Sequence, residues 1–315
     1  MAARTVIRSS ASGTGARCER GQVLPLLAFW LVGFMGLAAL VIDLGSWYRT
    51  HRTMQASADA AALAGAQALP TDAASASVLA AQYTTKNDPA LGTPSVTFTS
   101  AAAPNDTIKV SVTKSAPGFF SQVFGINSVK LHASASAESY AIGKAKYVAP
   151  IAVSKFHPDL ANPGCPCFDQ PTSIPLSKAG APGAFDLINL DGSRGGTSPG
   201  TLADWMTNGY NGYLGLGDYY SDPGAKFNAS AMQAALNARI GTELLFPVYD
   251  SLVGTGANAH YNVIGWVGFV MTGFDARGSS GTLYGHFTEV TWDGIEASSG
   301  DTQPDYGARV VRLIQ

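Results

Sequence analysis

From Val23 to Ile42 no side chain is charged or strongly polar. Twenty residues in a helix reach about 30 Å, which matches the hydrocarbon core of a bilayer. The pattern does not stop at that boundary. Leu44, Tyr48, His51, Met54, Gln55, Ala58, Ala62 and Leu69 continue a helical pattern, and no proline interrupts Gly45 to Leu69. Pro70 supplies a stop. Ala58 to Ala66 is built largely of small side chains, which lets a partner helix approach closely.

Beyond Pro70 the period changes. Asp72 to Gln82 can form another helix, and Lys86 to Pro94 reads as a loop. Val96 and Phe98 alternate, as do Ile108, Val110 and Val112, which predicts two half-buried strands. Pro117 opens a short apolar helix over Phe119 to Phe124, ended by Gly125. Val129, Leu131, Ala133, Ala135 and Ala137 alternate as a third strand.

From Val148 onward, strand candidates are Ile151 to Val153, Asp186 to Leu190, Leu244 to Tyr249, Tyr261 to Met271, Leu283 to Trp292 and Ala308 to Ile314. One helix candidate, Ser230 to Ile240, has Met232, Ala235, Leu236 and Ile240 at helical spacing. Clusters of Gly, Pro, Asn and Asp separate nearly all of these, as expected of a mostly antiparallel domain with one or two helices. The predicted class is α+β. A long N-terminal transmembrane helix (about 23–42) continues into an extracytoplasmic helix, making a segment 21–69. A disordered cytoplasmic segment 1–20 is expected before it, and a small α+β unit (70–145) and a β-rich extracytoplasmic domain (146–315) after it.

Composition changes the picture only at the margins. Charged residues make up 13% of the chain, about half the usual share for a soluble domain. The formal net charge of -2 supplies no basic footprint for nucleic acid. Orientation follows from Arg4, Arg8, Arg17 and Arg20 before the span against Arg49 and Arg52 close behind it. Excess basic charge marks the cytoplasmic side, so the N-terminus is expected inside and the remainder outside a cytoplasmic (inner) membrane. No later segment offers a second span, because Val263 to Met271 is too short. A cleaved secretory signal is the rival reading, but its apolar region runs about 7–15 residues, shorter than this one.

Cys18 would face a reducing compartment, while Cys165 and Cys167 would lie where disulfides persist. A Cys165–Cys167 disulfide closes a very small ring, and free thiols or an intermolecular bridge are the alternatives. A metal site needs more ligands than this pair.

Candidate chemistry is sparse. Gly196-Thr197-Ser198-Pro199-Gly200 matches the G-x-S-x-G elbow in form, but Pro199 cannot supply the backbone N–H that the oxyanion requires. Asp191-Gly192-Ser193-Arg194-Gly195 resembles the start of the metal-adhesion motif of von Willebrand A domains. Gly195 stands where that motif needs a second serine, and a plain Asp-Gly turn is favoured. His286 and Glu289 lie three apart on a strand pattern and should face opposite ways, and His260 has no neighbouring ligand in sequence. Gly215-Leu216-Gly217 lacks the rest of a phosphate-binding pattern. No catalytic constellation survives, so neither enzymatic activity, a cofactor nor a small-molecule substrate is expected.

The remaining specific signal sits in and just beyond the span. Arg20-Gly21-Gln22 with Pro25, Asp43-Leu44-Gly45, Gln55, and the run Ala58-Asp59-Ala60-Ala61-Ala62-Leu63-Ala64-Gly65-Ala66 keep one order over about fifty residues. In this the chain resembles the N-terminal domain of the Tad (tight adherence) proteins, the TadE/TadG-like components of Flp pilus assembly. Ser57 departs from the small Ala usual there. A prepilin-type cut after Gly21 would place a Glu where this chain has Leu26.

The resemblance implies a non-enzymatic role in Flp-type pili, in adhesion or secretion. Besides the lipid bilayer, other Tad/Flp assembly proteins or pilins would be its partners. Asp43, Gly45, Gln55, Asp59, Leu63 and Gly65 are the candidates for partner or helix packing. Asp43 has two readings: a carboxylate at the outer interface reaching headgroups or water, or one that pairs with a basic group on a neighbouring helix. Asp59 is either a solvated helix residue or a partner for a cation. Trp47 and Tyr48 fit an interfacial aromatic belt. An envelope protein using the Tad anchor for an unrelated ligand is the alternative, favoured if Tyr210, Tyr213, Tyr219 and Tyr220 line a groove.

Overall fold

The structure, a computed structural model, describes residues 23–176, 186–224, 226–277, 280–296 and 304–314. Expectations for 1–20, for Cys18 and for the Arg20-Gly21-Gln22 motif lie outside the described residues. Contacts group the chain into two units, Met1–Thr53 with Thr113–His132, and Met54–Val112 with Ala133–Gln315.

The apolar run and its continuation form one helix, α1, Val23–Ala66. Pro25 is tolerated because it lies in the first turn, where its missing N–H would have no partner in the helix. In the first unit the helix keeps its large apolar side chains exposed, Leu24 at 76% and Phe29 at 81%. By length and composition this is a helix able to cross a membrane, with a mean hydropathy of 2.3 in its most apolar window. The rest of this unit is the pair of strand ends and the connection between them, over Thr113–His132.

In the second unit, the C-terminal part of α1 buries Met54, Ala58, Ala61, Ala62 and Ala66 completely. Helix α2, Ala73–Asn87, follows, and its N-terminus is capped by Asp72, whose carboxylate accepts from the Ser75 amide at 2.9 Å. Three strands come next: β1 Ser95–Thr99, β2 Thr107–Pro117 and β3 Ser128–Ala145. The helix expected over Phe119–Phe124 is a single 3-10 turn, Ser121–Phe124.

The chain then builds β4 Val153–Ser154, α3 Pro158–Ala161, β5 Thr172–Leu176, α4 Pro199–Asn208, β6 Gly217–Tyr220 and α5 Ser230–Arg239. Strands β7 Glu243–Val253, β8 His260–Arg277, β9 Ser280–Thr288, β10 Val290–Thr291, β11 Gly294–Glu296 and β12 Ala308–Ile314 complete it. The architecture is α+β, as the pattern predicted.

Two sheets result. The first has the order β1-β2-β3-β12-β10, with β11 also on β3. The last strand, expected with 146–315, therefore pairs antiparallel with β3, Val310 opposite Tyr140. The second sheet runs β4-β7-β8-β9-β5, with β6 also on β8. Its centre is a run of ring contacts, Phe246 to Phe269 at 5.5 Å and Phe269 to Phe287 at 5.4 Å, all fully buried. Each such side chain contributes about 1.5–3 kcal/mol by leaving water.

Two further expectations differ from this arrangement. Asp186–Leu190 is not a named strand but makes single bridges, Ile151 to Leu187 and Ile188 to Ser221. Asp186 has a positive φ of 57°, which breaks the extended run at its start. The second difference is α4, which arises where no helix was expected. Ser198 caps it by accepting from the Thr201 amide, and Pro199 occupies its first turn. Leu202, Trp205 and Met206 form its buried face.

Candidate interaction site at the end of the apolar helix

In the first unit, Asp43 follows the apolar run directly and is 1% exposed. Its Oδ1 accepts from the Phe119 amide at 3.0 Å, and its Oδ2 accepts from Phe120 at 3.0 Å and Ser121 at 2.6 Å. One turn further along α1, the Trp47 indole donates to the Pro117 carbonyl at 3.0 Å. A carboxylate accepting several backbone N–H groups is a strong, charge-assisted clamp. Both sequence readings of Asp43 gave its carboxylate to something outside the chain. Here it accepts from the connection between β2 and β3. No sequence signal points to a partner 76 to 78 residues away.

Gly118 makes this turn possible. A Cβ there would stand 2.0 Å from the Ser121 hydroxyl and 2.9 Å from the Ile126 carbonyl oxygen. Tyr48, by contrast, stays 65% exposed. Gly45 faces open space, with nothing within 4 Å of a Cβ built on it.

In the second unit, Gln55 Nε2 donates to Asp59 Oδ1 at 2.8 Å and to the Ser134 carbonyl at 3.0 Å. This one amide ties consecutive turns of α1 to β3. Gly65 is the point of closest approach: a Cβ would meet Ile108 Cδ1 at 2.5 Å, the Ala76 carbonyl at 2.9 Å and Ala80 Cβ at 3.4 Å. The small-residue face is therefore filled on this side by the chain's own α2 and β2. Leu63 is half-buried on the same helix.

A cavity of about 960 Å³ opens beside β4 and β5 and is lined by Ser154, His157, Asp186, Tyr249 and Tyr284, among others. Its histidine is committed to the backbone. Nδ1 of His157 accepts from the Asp159 amide at 3.3 Å, so Nε2 carries the proton given to the Ser173 carbonyl at 3.1 Å. Burial first, and the Asp186 carboxylate second, push the phenols of Tyr249 and Tyr261 far above their ordinary value. Both phenols are therefore held in the protonated form near neutral pH.

The remaining candidates are dispersed. His286 Nε2 lies 3.9 Å from an Asp169 oxygen, while Glu289 accepts from the Thr71 hydroxyl at 2.5 Å. Ser193 belongs to a local turn in which its amide donates to Asp191 Oδ1 at 2.7 Å. Ser198 is the cap of α4. Tyr219 donates to the Gly215 carbonyl, Tyr210 packs edge-on against Trp205, and Tyr213 is 51% exposed. Cys165 and Cys167 are joined by a disulfide. Among the described residues no three His, Cys, Asp or Glu side chains form a metal-binding group.

Residues 21–68 match the model of the Tad family, described as "Putative Flp pilus-assembly TadE/G-like". The match covers the apolar helix, the Asp43 clamp position and the small-residue face. No curated protein and no solved structure matches the chain.

Proposed function

We propose that the chain is a membrane-anchored, non-enzymatic component of Flp-type (Tad) pilus assembly, or a pilus-associated subunit. One observation carries this reading: the Tad match at 21–68 coincides with an exposed apolar helix and its buried small-residue continuation. In this proposal Val23–Ile42 spans the cytoplasmic membrane, with the N-terminus inside and the body outside. Other assembly proteins or pilins pack against the open side of α1 near Gly45, while the body caps or steadies the fibre. Gln55, Asp59, Leu63 and Gly65 then hold the emerging helix to the body. Deleting the gene is expected to reduce surface pili and adhesion, with electron microscopy and attachment assays as readouts. Normal pili and normal adhesion would end this reading.

A second reading has one observation in its favour, the cavity of about 960 Å³ in the body. Its polar and aromatic lining suits a ligand held by an envelope-anchored binding protein. Under that reading, deletion leaves pili intact.

A further inference from the structure

Between Ser115 and Val129 the chain carries no charged residue, and the connection from β2 to β3 displays Phe119, Phe120, Val123, Phe124 and Ile126. Val123 is 83% exposed and Phe124 81%, with Phe119 at 59%, Ile126 at 48% and Phe120 at 45%. A folded chain gains nothing in water from showing so much apolar surface at the tip of a hairpin. The tip is also fixed in place. Asp43 holds three of its successive amides, and Trp47 holds Pro117, so it is tied to the residues that immediately follow the apolar run.

We propose that this hairpin tip enters the lipid leaflet into which the end of the α1 span opens, giving the chain a second membrane contact beside its helix. The inference rests on the reading of Val23–Ile42 as a membrane span. Continuity is the first argument: Asp43 is the residue after Ile42, so the tip is anchored where the lipid-facing surface ends.

Backbone satisfaction is the second argument. Irregular backbone enters a low-dielectric layer only if its polar groups are paired internally. Here the amides of Phe119, Phe120 and Ser121 go to Asp43, Gly118 donates to Asn127, Val123 to Phe120, Gly125 to Gln122 and Ile126 to Ser121. Two side chains add to this, since Ser121 donates to the Ile126 carbonyl and Gln122 to that of Gly118. Most of the amides of the tip are thereby taken up within the chain. Charge placement is the third argument, since Lys114 and Lys130 bracket the uncharged stretch, where anionic headgroups would meet them.

The test uses the full chain with Cys18→Ser, reconstituted in phosphatidylcholine–phosphatidylglycerol vesicles with the Cys165–Cys167 disulfide kept oxidised. An environment-sensitive fluorophore is placed by Val123→Cys at the tip, Leu31→Cys in the span, or Tyr213→Cys on the body. The expected result is a blue-shifted Val123 probe, quenched most by lipids brominated near the glycerol end of the acyl chain. The Leu31 probe should respond most to lipids brominated near the methyl end, and the Tyr213 probe to aqueous iodide. A Val123 probe quenched by iodide, with Leu31 still quenched by lipid, overturns the tip contact and leaves the span standing. If Leu31 also answers to iodide, both fall. A blue-shifted Val123 probe that no brominated lipid reaches means a protein contact instead, and sinks the proposal.

Discussion

The two connections that flank β2 are each organised by one carboxylate that accepts from three successive amides, yet they are held by different parts of the chain. Before the strand, Asp106 takes the amides of Ala101 at 2.8 Å and of Ala102 and Ala103 at 2.6 Å. That turn closes on itself within five residues and shows little beyond alanine, proline and asparagine. After the strand, Asp43 reaches the tip from a helix more than seventy residues away. The first connection is thus held from within its own sequence, whereas the second adds to its internal bonds a clamp from the helix end. The apolar side chains lie on the second.

The largest expected effect belongs to Asp106→Ala. Removing a buried acceptor orphans amides and costs about 1–3 kcal/mol, read as a lower urea midpoint for the body. The same group has a pH signature. Burial alone would raise its pKa, but the amides of Ala103, Ala101 and Ala102 and the Thr107 hydroxyl outweigh that and hold it below the usual carboxylate value. A depressed pKa means the stabilisation is full above the unfolded carboxylate value, about pH 4, and is lost as pH falls through the folded value. Asp106→Asn should flatten that acid limb of the midpoint-against-pH curve. An unchanged limb would show that the turn is held by something else.

Asp43→Ala comes next and should act locally. Amide exchange at Phe119, Phe120 and Ser121 is expected to rise to loop-like rates while the urea midpoint of the body stays put. A fall in the body's midpoint as large as that of Asp106→Ala would break the contrast between a self-contained turn and a clamped tip. The smallest effect is predicted for Phe124→Ser, within about 0.5 kcal/mol by the same midpoint, because an 81% exposed side chain has little packing to lose. A larger loss would mean that the tip packs on protein.

Much of the frame is legible in local pattern. The helix from Val23 follows from an unbroken apolar run with proline only in its first turn, and the strands of the second sheet follow from β-rich runs bounded by turn residues. Helix α4 was hidden although its signal was present: Ser198 before Pro199, then Leu202, Trp205 and Met206 at helical spacing. The serine of the formal nucleophile elbow is the cap of this helix. Asp186–Leu190 looked like a strand because composition does not reveal a left-handed φ at its first residue.

By itself the sequence determined where α1 runs, that its first half is uniformly apolar and its second half built of small residues, and that no catalytic motif is complete. Those are properties of neighbours along the chain, set by side-chain size, polarity and period. Only the tertiary structure decided that Ile108 and Ala76 of the same chain fill the space at Gly65, that β12 pairs with β3, and that Asp43 is spent on the amides of Phe119–Ser121. Smallness says that a backbone can come close and charge says that a partner is needed. Neither says which backbone or which partner, because that choice is made by contacts between segments far apart in sequence.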